Sequence, residues 1–162
     1  MENKINSAEV NAKSLPISTK YSVEICNFIR NKNFDIARKQ IQDIVEMKKA
    51  LPIRRFGWDL GHKKEVGPGT YPVKAGKHFL SLLDSVQNNA ENKGLNVNNL
   101  FITFAKADKA ERRWKSGRSG RVKMKNTHVK IMVEERAEQK RETYREKYII
   151  DKNSNNNKGE KK

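Results

Sequence analysis

Two short stretches of alternating apolar residues, Leu100, Ile102, Phe104 and Val129, Ile131, Val133, flank twenty-four residues that are nearly all polar and strongly basic. A period of two places each triplet on one face of a strand. Both strands therefore offer a face to a core, and the insert between them does not. Folding the insert about Ser116-Gly117 sets Leu100 opposite Val133, Ile102 opposite Ile131 and Phe104 opposite Val129. Folding it about Gly117-Arg118 shifts the pairing by two residues and keeps the same faces in phase, so both registers satisfy the pattern. Either way the result is a hairpin rooted in a core. Its arm, at about residues 105–128, has about twelve residues per side and reaches roughly 40 Å at about 3.3 Å per residue.

Such an arm does not stabilise itself, because isolated two-stranded hairpins are marginal in water. The arm and its root carry Lys106, Lys109, Arg112, Arg113, Lys115, Arg118, Arg121, Lys123, Lys125 and Lys130, against Asp108 and Glu111. Like charges facing each other across strands repel. When ordered, the arm needs a polyanion around it, and RNA or DNA is the polyanion that fits. The alternative is a disordered basic loop between two strands.

Composition points the same way. The chain has 162 residues, a formal net charge of +16, 33% charged and 35% hydrophobic residues, which suits one domain with a modest core and long polar extensions. The single cysteine, Cys26, excludes an internal disulfide framework and a cysteine zinc cluster, and its neighbours Val23, Ile25 and Phe28 place it in the core. There is no apolar run of membrane-helix length and no hydrophobic signal core in M-E-N-K-I-N-S-A, so the expectation is a soluble, intracellular protein with no membrane partner. His62, His78 and His128 lack metal-ligand spacing, the acidic residues near the arm are solitary, and Ser119 in S-G-R-S-G-R is no nucleophile elbow. The pattern predicts no enzyme, no metal and no cofactor.

Taken in order, the chain begins with an edge strand within residues 1–17, at Val10, Ala12, Leu15 and Ile17. Ser18 suits an N-cap, and the helix after it presents Val23, Ile25 or Cys26, and Ile29. Asn31-Lys32-Asn33 breaks that pattern. A second helix runs over about Phe34 to Lys48 with the stripe Phe34, Ala37, Ile41, Ile44, Val45. Residues 50–71 read as a loop rich in glycine and proline. In it Phe56, Trp58 and Tyr71 are interleaved with Arg54, Arg55, Lys63 and Lys64, so that rings can stack on bases while cations take phosphates. The alternative is that these rings fold back on the body. Pro72 suits the first turn of a third helix with the stripe Val73, Gly76, Phe79, Leu80, Leu83, Val86, Ala90, closed by Gly94. Residues 1–135 thus form a single globular domain with its arm, and 136–162 a charged extension, partly helical and then disordered.

Several segments resemble a known family. S-V-E-I-C-N-F-I-R, L-P-I-R-R-F, V-G-P-G-T-Y-P-V-K-A-G-K, N-A-E-N-K-G-L and the arm ending T-H-V-K-I-M-V-E-E are similar, in this order over about residues 8–135, to ribosomal protein L-twenty-two of the large subunit, L-seventeen in eukaryotic naming. The long 50–71 segment resembles the archaeal and eukaryotic branch. The arm departs from archaeal relatives in carrying Lys115 to Arg121 without the usual preceding proline.

The resemblance implies an α+β fold: three helices packed on a small three-stranded antiparallel sheet, with a long basic β-hairpin extension and a C-terminal tail. It implies binding to large-subunit ribosomal RNA through Lys20, Arg54, Arg55, Lys63, Lys64, Lys109, Arg112, Arg113, Trp114, Lys115, Arg118, Arg121, Lys123 and Lys125. It also implies that Ser116, Gly117, Ser119 and Gly120 at the tip line the nascent-peptide exit tunnel, opposite an extension of ribosomal protein L-four. The expected partners are ribosomal RNA, neighbouring ribosomal proteins and the nascent peptide, and not a second copy of the chain. A free RNA-binding protein that regulates or chaperones RNA is the competing class.

Overall fold

A computed structural model describes residues 6–118 and 120–136. Helices α1 (Thr19–Ile29), α2 (Phe34–Val45) and α3 (Val73–Asn92) pack on one antiparallel sheet. Its strands are β1 (Ser7–Leu15), β2 (Lys32–Asn33), β6 (Leu100–Lys109) and β9 (Thr127–Glu135), in the order β1-β9-β6-β2. Three of them are long, and β1 lies at an edge, as the alternating pattern predicts. The fourth is the two-residue β2, made from the break between α1 and α2. Asn31 adopts φ 58 and donates its N–H to Ile102 O at 2.9 Å, and Asn33 then caps α2 by accepting from Asp35 N. The expected tail lies outside the described residues. Among these, no helix is long and apolar enough to cross a membrane.

The central ladder follows the second of the two registers at its root: Leu100 opposes Glu135 and Ile102 opposes Val133. It then departs from both. A bulge at Thr103 sets Phe104 opposite Met132 and Ala105 opposite Ile131. One extra residue inverts the alternation. Leu100, Ile102, Ala105, Val129, Ile131 and Val133 are fully buried, whereas Phe104 is 39% exposed on the other face. The expectation that Phe104 shares the face of Ile102 is therefore corrected. Arg30, just past α1, donates to Ala105 O at 2.6 Å, which ties that helix to β6 beyond the bulge.

The helices keep their main stripes and shift in detail. In α1 the buried set is Ser22, Glu24, Ile25, Cys26 and Ile29, while Val23 is half-buried. Burial pushes the Cys26 thiol up to about 12. Helix α2 stops at Val45 rather than Lys48, because Met47 turns to φ 60 and the N–H groups of Lys48 and Lys49 donate back to Asp43 O. Pro72 stands one residue ahead of α3, at its cap, and Leu82 is buried where Leu80 is only half-buried. Gly94, at φ 73, ends the helix as expected, with Leu95 N donating to Ala90 O.

Residues 50–71 are not a plain loop. They build a second sheet from β3 (Leu51–Pro52), β4 (His62–Lys63) and β5 (Gly67–Thr70), in the order β3-β5-β4. Proline is tolerated because Pro68 is used as an acceptor: its carbonyl takes the N–H of Ile53 at 2.9 Å. Glu65 and Gly67, both at positive φ, turn β4 into β5.

Helices α2 and α3 pack tightly at Gly76, where an added Cβ would lie 2.6 Å from Val45 Cγ2. Gly76→Ala should therefore destabilise the fold by about 1–3 kcal/mol, although alanine is the better helix former. Chemical denaturation checks this, and an unchanged or raised midpoint would contradict the packing described.

Candidate nucleic-acid interface

The β6–β9 ladder ends at the pair Lys109–Thr127. Beyond it, Ala110 to Arg113 and Met124 to Asn126 leave regular pairing. Ala110 N donates to Asn126 O at 3.2 Å, Met124 N to Arg113 O at 2.9 Å and Asn126 Nδ2 to Glu111 O at 2.8 Å. Arg112 donates from Nε to Met124 O and from Nη2 to Lys123 O, at 3.2 and 3.1 Å. This guanidinium, expected only as an RNA contact, braces the irregular joint of the arm.

Regular pairing then resumes in β7 (Trp114–Gly117) and β8 (Gly120–Lys123), with Gly117 opposite Gly120. The arm thus folds one or two positions beyond either expected point. The Thr103 bulge and the irregular joint each shift the register. Gly120 has φ 94, a conformation that costs glycine least. Ser119 lies outside the described residues.

The register also moderates the repulsion expected along the arm. Lys115 faces Val122, Ser116 faces Arg121 and Trp114 faces Lys123, so no two cations stand directly opposite in β7–β8. Lys123 Nζ lies 4.6 Å from the centroid of the Trp114 ring, a favourable cation–π distance. Trp114 remains 57% exposed. Where two lysines do face each other, Lys106 and Lys130, each has a carboxylate: Asp108 at 3.1 Å and Glu9 at 2.8 Å. Among the described residues, Lys109, Arg113, Lys115, Arg118, Arg121, Lys123 and Lys125 have no salt-bridge partner. All seven are exposed.

The second sheet presents another set. Arg54 and Arg55 are exposed, yet their backbone is held from below. Glu24, 4% exposed within α1, accepts Arg55 N at 2.8 Å and Arg54 N at 3.4 Å. A carboxylate filling two backbone donors fixes the turn from which both guanidinium groups project. Lys63 and Lys64, on and just after β4 at the other edge of this sheet, are exposed as well. The interleaved rings divide. Phe56 and Tyr71 are half-buried, Phe56 with Lys20 Nζ and Arg55 Cζ each 5.7 Å from its centroid. Trp58 is 96% exposed and can stack on a base.

The structure therefore gathers Lys20 and Arg55 around Phe56, with Arg54 on the same turn, and strings the arm cations along a separate projection. One contributor, and the choice among the three candidate rings, escape sequence reading. Trp58 cannot be told from its neighbouring rings by spacing alone. Glu24 leaves one trace, a lone acid between Val23 and Ile25 inside an apolar run. Among the described residues, no group of three or more His, Cys, Asp or Glu could hold a metal ion.

Comparison with known proteins gives a consistent family. The family model described as Ribosomal protein L22p/L17e matches residues 10–134. The chain is 44% identical over 103 residues to a protein of Thermofilum pendens named "Large ribosomal subunit protein uL22", covering 63% of this chain and 68% of the relative. Proteins of the same name from Archaeoglobus fulgidus and Nanoarchaeum equitans are 41% and 36% identical, covering 72% and 79% of those chains.

Removing the Glu24 charge tests the positioning role. Glu24→Gln should destabilise the protein by about 1–3 kcal/mol, since a neutral amide replaces a buried carboxylate that satisfies two part-buried backbone donors. It should also speed amide exchange at Arg54 and Arg55. Unchanged exchange at both positions would show that the turn holds itself.

Proposed function

The chain belongs to the ribosomal protein L22p/L17e family, a structural and not an enzymatic family, and from that premise we propose that this constituent of the large ribosomal subunit anchors its body on ribosomal RNA and threads its arm through it. The observation that carries this reading is the run of exposed arm cations without a carboxylate partner among the described residues. Each can neutralise a phosphate and release a counterion. Lys109, Arg113, Lys115, Arg118, Arg121, Lys123 and Lys125 take phosphates along the arm, Trp114 and Trp58 stack on bases, and Lys20, Arg54, Arg55, Lys63 and Lys64 hold RNA against the body. Arg112 contributes mainly by keeping the joint in shape.

The tip has a second role in this proposal. Ser116, Gly117, Ser119 and Gly120 are small, which permits close backbone approach within a narrow passage. They border the nascent-peptide exit tunnel, opposite an extension of ribosomal protein L-four, while Arg113, Arg118 and Arg121 face RNA in planar, bidentate contacts. The protein acts as a single copy within the cytoplasmic ribosome.

Binding to large-subunit RNA should be steep in salt. With about six phosphates engaged, affinity falls roughly 10³-fold between 50 and 200 mM salt, and replacing Arg54 and Arg55 together by Ala lowers the slope by about two. A nearly flat response would refute the phosphate contacts. For the tip, a photo-crosslinker scanned along a stalled nascent chain should label the arm tip and leave the helices unlabelled. Labelling of other proteins only, at every position, would remove the tunnel role and leave RNA anchoring intact.

A further inference from the structure

Where the arm leaves the sheet, its irregular joint stands apart from α1 and from the turn after β3, and a cleft of about 560 Å³ opens between them. That is within the range of small-molecule sites, about 300–1,000 Å³. We propose that this cleft, walled by Phe56 and Tyr21 and bordered by Lys20, Lys109, Arg112 and Lys125, holds one unstacked nucleotide of single-stranded RNA. The inference rests on the RNA-binding function proposed above and specifies the form of RNA taken at the root of the arm.

Charge and shape converge there. Four cations are set against one carboxylate, Asp59, and among the described residues none of the five forms a salt bridge. Arg112 is held in place by its two bonds to arm carbonyls, so one planar cation is positioned before any ligand arrives. Asn126 also lines the cleft. Its Nδ2 is spent on Glu111 O, which holds this side chain against the arm, and its Oδ1 is buried without a partner among the described residues. The first turn of α1 borders the same space with no acidic residue, and Ser18 makes no side-chain cap. The Thr19 and Ser22 hydroxyls are engaged elsewhere, with Thr127 Oγ1 and Ser18 O. The positive end of that helix therefore adds to the field of the lysines.

The rings choose between anions. Phe56 and Tyr21 are half-buried against the core, so they are fixed surfaces. A base gains by stacking on such a surface and its phosphate by meeting the lysines. An acidic peptide side chain has no flat face and would use only the charge. A duplex keeps its bases stacked inside and cannot insert one into a concave site without unpairing it.

The test uses the full chain, a hexa-adenylate, a blunt RNA duplex of equal phosphate count and large-subunit ribosomal RNA. Phe56→Leu keeps apolar packing and removes the ring. It should weaken hexa-adenylate binding roughly tenfold without changing its salt slope, leave duplex binding unaltered, and be rescued by Phe56→Trp. In the unsubstituted protein, an oligonucleotide carrying 5-iodouridine should crosslink to Phe56 or Tyr21, a readout independent of any variant. Equal loss for single strand and duplex, no loss at all, or crosslinks confined to other residues would overturn the nucleotide site. Displacement of hexa-adenylate by polyglutamate at equal charge concentration would overturn it in favour of an acidic protein segment. In each of these cases steep salt dependence with ribosomal RNA would leave the function standing, and only a flat response there would remove the function itself.

Discussion

The pairing of β6 with β9 is the interaction on which the rest depends. It runs from the core of the body to the root of the arm. Its inner face, from Leu100 and Ile102 to Ala105 and from Val133 to Val129, closes the core under the helices. Its far end, at Lys109 and Thr127, aims the arm. Thr127 is itself buried and bound to Ile17 O at 3.0 Å and to the Thr19 hydroxyl at 2.8 Å, which locks the root of the arm to the start of α1. The bulge at Thr103 decides which residues face inward from there on. A slip of one residue would exchange the buried and exposed faces of the whole strand.

Electrostatics divides along the same line. A chain of net charge +16 strains against its own compactness. On the sheet that strain is answered locally, by Glu9 for Lys130 and Asp108 for Lys106, and both pairs are exposed enough to contribute little to stability. Along the arm no such answer is found among the described residues, and β7–β8 only arranges that cations do not face one another. The body therefore folds on apolar burial. The arm holds its charge available for an external anion, and its regular pairing is the kind that is marginal when alone in water.

Much of this was legible in the sequence, for reasons that can be named. The three helices show because Phe34, Ala37, Ile41 and Ile44, or Phe79, Leu83, Val86 and Ala90, recur at helical spacing, and Gly94 marks an end that needs positive φ. The hairpin shows because two alternating triplets flank a polar insert. The bulge is not legible, since nothing in I-T-F-A signals an extra residue; the choice of Ala105 over Phe104 is made by packing under α1. The second sheet is hidden because Gly67, Pro68 and Gly69 argue against a strand, and only the use of the Pro68 carbonyl as acceptor makes it one. The cations of the interface could be counted in advance. Arg112's engagement with its own arm, the exposure of Trp58 and the support of Arg54 and Arg55 by Glu24 required three dimensions.

The central claim is that the body is self-sufficient and the arm is completed by RNA. Native-state amide hydrogen exchange on the full chain, alone and bound to large-subunit ribosomal RNA, tests it most directly, because exchange reports local opening segment by segment. The account predicts strong protection at Ile102, Ala105, Val129 and Ile131 in both states. It predicts fast exchange across residues 114–123 in the free protein, slowed at least about tenfold on RNA binding. Protection of residues 114–123 equal to that of the ladder in the free protein, or no change there with RNA bound, would contradict it.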